Sequence, residues 1–157
     1  MRASLLRLPP SVHGEGDHGF VPTLISIARE KGVSAYIANG LNRWPAVHRL
    51  DAVHLHWLAL EKSPAGAARL HGIAEEGIAF REIAEVIGKG LNMPIVTKSP
   101  EEAAHHFGWF AHLAGLDCPA SSKLTQERLG WRPLQPGLIP DLDGEHYFKY
   151  SAAASST

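Results

Sequence analysis

Apolar residues recur at helical spacing across Phe20–Lys31, where Leu24, Ile25, Ile27 and Ala28 share one side and Gly32 supplies a stop. A second helical stripe covers Phe80–Leu91, with Ile83, Ala84 and Ile87 on one face. Shorter apolar runs bounded by turn residues predict strands at 4–8, 33–37, 68–73 and 94–97. The segment 44–48 also reads as extended, but Pro45 has no N–H to give a ladder and assigns it to a sheet edge or an irregular piece. Asp51 caps or opens a helix that runs to Leu60 and stops before Ser63, Pro64 and Gly66. Downstream, Ser99 as N-cap, Pro100 at the first helical position and Glu101 and Glu102 in the first turn mark a helix start. Ser121 or Ser122 caps another short helix, closed by Gly130. The last residues, 151–157, are low in complexity and read as an unfolded tail.

Strands alternating with helices give an α/β class with too few strands for a complete doubly wound domain. The expectation is one domain over 1–150, a partial Rossmann-type fragment with a few strands and a mostly helical C-terminal third. At 157 residues, 45% hydrophobic and 20% charged, the chain can bury an ordinary globular core. A net charge of -1 offers no basic field for nucleic acid, so no nucleic-acid partner is expected. No apolar run approaches the roughly 18–20 residues of a spanning helix, and no membrane partner is expected either. The start of the chain has too short an apolar stretch for a secretory signal, and the single cysteine, Cys118, fits a reducing compartment, so the expected location is the cytoplasm. Cys118 reads as a small residue at a helix end.

Ten histidines are the one compositional excess. His54 and His56 are two apart on a helix and diverge, as do the adjacent His105 and His106. Glu102 and His106 at i, i+4 could reach one ion but read as a surface pair, and no metal site is assigned. Phe107, Trp109 and Phe110 read as core or a protein contact.

Residues 7–17, RLPPSVHGEGD, run into a G-x-G-x-x-G at Gly14, Gly16 and Gly19. A dinucleotide fingerprint needs an uninterrupted strand before the glycines and an acid about 20 residues on for the ribose. Pro9 and Pro10 compromise the first, and between Glu30 and Asp51 no acid occurs. Glu15 and Asp17 would also meet a pyrophosphate with like charge. The loop therefore does not read as a phosphate cradle.

Residues 7–17 together with 42–52, NRWPAVHRLDA, resemble the second half of an extended or atypical short-chain dehydrogenase/reductase of the NAD-dependent epimerase/dehydratase kind. The resemblance extends to about Phe148. It implies backbone at Pro10, Ser11 and Val12 beside a nicotinamide, and His13, Arg43, Trp44 and His48 on the substrate side. Arg43 sits one position away from the arginine that some sugar-nucleotide members place before V-H, and Trp44 can equally fill the core. That family also carries T-G-x-x-G-x-x-G and Tyr-x-x-x-Lys, whereas here Tyr36 is followed at the fourth position by Gly40 and Tyr147 by Ser151. No catalytic residue is assigned. The resemblance thus implies a truncated NAD(P)-dependent epimerase, dehydratase or reductase taking a small-molecule substrate, with cofactor binding weak or absent in the isolated chain. Faces that would pack on the missing half should expose apolar surface and drive homo-oligomerisation, with sheet edges as one route. The alternatives are an acquired ester or lactone hydrolase, metal-assisted through the histidines or not, and a non-catalytic oligomeric binding module.

Overall fold

Strand pairing in the computed structural model, which describes residues 3–62 and 68–149, falls into three small sheets. β1 (Ser4–Arg7) lies parallel to β5 (Ala68–His71). β4 (Arg43–His48) is flanked by β2 (Ser11–His13), parallel to it, and by β6 (Glu75–Ala79), antiparallel. β3 (Ser34–Ile37) pairs in parallel with β7 (Ile95–Lys98). Helices fill the connections: α1 (Phe20–Lys31), α2 (Arg49–Lys62), α3 (Phe80–Leu91), α4 (Pro100–Phe107), α5 (Ala111–Gly115), α6 (Lys123–Leu129), α7 (Leu138–Leu142) and α8 (His146–Lys149). The class is α/β, and the parallel pairs joined through helices are Rossmann-like pieces. The stop at Ser63, Pro64 and Gly66 and the tail at 151–157 lie outside the described residues.

Local chemistry explains the helix ends. Gly32 adopts φ +75° and its N–H closes on the Ala28 carbonyl, so α1 stops there. At α4 the Ser99 hydroxyl accepts from the Glu102 N–H while the Glu102 carboxylate accepts from the Ser99 N–H, a reciprocal capping box. Ser122 holds the N-cap position of α6, but its hydroxyl donates to the Ile73 carbonyl instead of capping the helix, and Ser121 Oγ accepts the Lys123 N–H at 3.3 Å.

Two expectations need correction. Residues 44–48 form no edge: β4 is the middle strand of its sheet, and the register shift between Trp44 and Ala46 falls at Pro45. The bulge absorbs the residue that cannot donate to the ladder. Asp51 does not cap α2, which starts two residues earlier; the carboxylate is buried and accepts the backbone N–H groups of Leu134 and Gln135 at 3.0 and 3.1 Å. Strand β6 carries two acids and a glycine and buries only Ile78, so it leaves no alternating pattern to read.

Two cores hold these pieces. Trp44 packs edge-on with Phe80 and at a tilt with Phe110, and the cluster sits against Leu24, Ile83 and Ile87. Leu55 and Leu58 of α2 pack with Leu70, Val47 and Trp131, whose indole N–H donates to the Asp51 carbonyl. Between them, β2 and β4 run side by side and place His13 directly opposite His48 at their C-terminal ends.

Candidate functional site

The loop leaving β2 turns back to open α1 at Gly19, so a strand, a glycine loop and a helix do follow one another. The loop tightens through the Asp17 N–H to the Gly14 carbonyl, with Gly14 at φ +138° and Gly16 at φ +80°, conformations that suit glycine. A side chain at Gly14 would also press on the Arg49 stem and the His48 ring, 3.0 and 3.2 Å from its Cβ position.

Asp17 decides what the loop can hold. One of its oxygens takes the Gly19 N–H at 2.7 Å, and the other takes the Tyr147 hydroxyl proton at 2.9 Å. Tyr147 in turn accepts the Gly14 N–H at 3.0 Å. The carboxylate therefore stands where a pyrophosphate would need to accept, and the loop does not fit a dinucleotide phosphate. Burial holds the Tyr147 hydroxyl far above the usual phenol range, with Asp17 adding to the effect, so this group keeps its proton.

Behind the loop, His13 Nδ1 meets Asp141 Oδ2 at 2.6 Å, and the two histidine rings meet edge-on with centroids 5.2 Å apart. His146 Nε2 lies 3.2 Å from the other Asp141 oxygen but makes no hydrogen bond there. His13 is 1% exposed, so this dyad ties β2 to α7 from the inside. Burial pushes the His48 pKa down, with the neighbouring His13 second in effect, so its ring is held neutral. Ligand atoms of His13, His48 and Asp141 all lie within 4.8 Å of one another. His48 Nδ1, however, accepts the Leu50 N–H at 3.2 Å, which places the ring proton on Nε2. Three-fold metal ligation would require that bond to be given up, and the set fits a hydrogen-bonded cluster better.

Beside the loop opens a cavity of about 430 Å³ lined by Gly16, Asp17, His18, Pro22, His146 and Tyr147 among others. A larger concavity of about 810 Å³ shares none of these residues; Arg7, Arg69, Lys123 and Arg128 line it.

The sequence-derived residues separate into two places. His13 and His48 come together. Arg43 is exposed and grips Asp117 with two guanidinium nitrogens, each at 3.1 Å, while its backbone N–H donates to the same carboxylate. Trp44 is fully buried and gives its indole N–H to the Leu113 carbonyl, so it serves the core. Pro10, just before β2, and Val12 within it are half-buried, and the buried Ser11 hydroxyl has no hydrogen-bond partner. His106 is no surface partner of Glu102: it is buried, burial lowers its pKa, and Glu102 is engaged by Ser99. Cys118 is half-buried and its thiol is pushed up by burial, away from nucleophile character. Asp17, Asp141, His146 and Tyr147 were not singled out from sequence as site residues. The contacts of Asp17 and Asp141 with α8 and β2 span 128 to 130 positions and leave no local spacing signal.

No protein-family model matches the chain. It is 57% identical over 148 residues to an uncharacterized protein of Schizosaccharomyces pombe, covering 94% of this chain and 50% of that protein. An uncharacterized protein of Saccharomyces cerevisiae is 46% identical over 140 residues, 89% of this chain and 47% of that one. Among solved structures, the dTDP-glucose 4,6-dehydratase DesIV of Streptomyces venezuelae, with NAD and TYD bound, superposes with a TM-score of 0.69 at 16% identity, covering 96% of this chain and 45% of that one. A UDP-glucose 4-epimerase of Thermotoga maritima with UDP-glucose gives 0.64 at 16% identity, over 96% of this chain and 46% of that one. The chain has the fold of about half an epimerase/dehydratase-type structure. It likewise spans about half the length of the curated relatives it matches. Among the described residues no helix is long and apolar enough to cross a membrane.

Proposed function

We propose that this chain supplies the substrate-side half of an NAD(P)-dependent epimerase, dehydratase or reductase, and that its cofactor is held mainly by a separate nucleotide-binding half. The observation that carries the reading is the pairing of β2 with β4, which brings the two motif segments 7–17 and 42–52 into one sheet within a fold matched by less than half of each dehydratase or epimerase. Asp17 supports the second clause, since it occupies the amide a pyrophosphate would need. The cavity beside the loop is the substrate site in this reading, with His18 and His146 among its lining residues. Tyr147 holds a structural proton there, and no hydride transfer is assigned to the chain alone. Calorimetric titration of the chain with NADH and NADPH tests this: no saturable binding is expected below about 1 mM, a weak-binding regime. A micromolar dissociation constant for either nucleotide would contradict it.

A further inference from the structure

Helix α2 carries two apolar faces. One, with Ala52, Leu55 and Leu58, packs into the second core. The other is bare: Leu50, Val53, Trp57 and Leu60 are 46%, 63%, 53% and 88% exposed. At 100° per residue these four fall within about 80° of arc, on the side away from the core. A contiguous exposed apolar stripe of this kind marks an interaction surface.

The spacing of this stripe says what covers it. Steps of three, four and three residues are the a-d-a-d pattern of a coiled-coil seam. The pattern is also symmetric about the helix middle. We propose that α2 pairs antiparallel with α2 of a second copy of this chain. That arrangement stacks Leu50 on the partner's Leu60 and Val53 on the partner's Trp57, so every seam residue meets an apolar one. In an antiparallel pair each flank meets the same flank of the other helix. On the two flanks His54 and His56 each come nearest the same residue of the partner, while Arg49 and Glu61 sit at opposite ends of each helix, so no two carboxylates and no two guanidinium groups face each other. Arg49 and Glu61 are both exposed and make no ion pair among the described residues. The contact is isologous and closes on itself as a two-fold dimer. Two such stripes bury an area at the small end of stable interfaces, ~1,000 Å², so association in the micromolar range is expected.

Sedimentation equilibrium of the full chain from 1 to 100 µM tests the proposal. A reversible monomer–dimer equilibrium is expected, and Leu60→Glu, at a position already open to solvent, should weaken it at least tenfold while leaving the thermal melt at low concentration unchanged. A wild-type chain that stays monomeric at 100 µM overturns the proposal, as does a dimer that Leu60→Glu leaves intact. Direction is tested by oxidising an equal mixture of Leu50→Cys and Leu60→Cys chains, both also carrying Cys118→Ser. The antiparallel register gives disulfide-linked heterodimers of the two variants; like-with-like dimers, or none, overturn it.

Discussion

His48 and His106 are the residues whose environment writes a pH dependence into the fold. Burial depresses both pKa values. For His48, the His13 ring and Arg49 lower it further while Asp141 and Asp51 pull the other way; for His106, Lys98 and Lys31 add to the lowering. In the unfolded chain both return to an ordinary value of about 6.5. Below that pH the unfolded state takes up protons that the folded state refuses, so stability is full above it and falls as the solution is acidified. The urea midpoint should therefore drop between pH 7.5 and pH 5.5, before the carboxylates titrate, and His106→Gln should shrink that drop. A midpoint that rises over the same interval would contradict the burial of these rings. Sequence reasoning selected His13 and His48 because both motif segments contain V-H and the resemblance puts these histidines on the substrate side. It did not find Asp141, which reaches His13 only once the chain has returned through α7. Trp44 shows the opposite limit. A tryptophan in a motif reads as core or as ligand contact with equal ease, and only its burial and its bond to Leu113 decide.

At the scale of elements, legibility followed local chemistry. Helices α1, α3 and α4 announced themselves through local signals: the apolar stripe of α1 and α3, the Gly32 stop of α1, and the Ser99 cap with Pro100 and the first-turn acids of α4. The strand β4 was recognised and read as an edge or an irregular piece; the bulge at Pro45 bears out the irregularity, while its place between β2 and β6 removes the edge. The same dependence on distant partners governs α2. Its Asp51 looks like a cap from sequence, yet the carboxylate anchors the backbone of Leu134 and Gln135 and its carbonyl holds Trp131. Hydrogen bonds to a charged acceptor are worth more than neutral ones, and the two stranded N–H groups would lose theirs. Asp51→Ala is expected to lower the unfolding free energy by about 2–3 kcal/mol in urea titration, with Asp51→Asn recovering part of it. A loss below about 0.5 kcal/mol, the ordinary surface value, would mean the anchor carries no weight.

For the whole molecule, the α/β class and the partial Rossmann character were both readable, because helix and strand periods alternate and the strands run out too early for a closed sheet. The absence of a cofactor cradle was read from Pro9, Pro10, Glu15 and Asp17. The structure supplies the physical detail: a short strand, which the prolines had put in doubt, does precede the loop and the expected helix follows it, but Asp17 fills its mouth. The central claim is that the chain is the substrate-side half of a two-part dehydrogenase-like unit. Its most direct test is NADH fluorescence of the portion of the Schizosaccharomyces pombe relative that this chain does not match, titrated with this chain. The account predicts that the chain, silent with NADH by itself, raises the NADH affinity of that portion at least tenfold, a coupling of about 1.4 kcal/mol. An affinity left unchanged by the chain, or micromolar NADH binding by the chain alone, would contradict it.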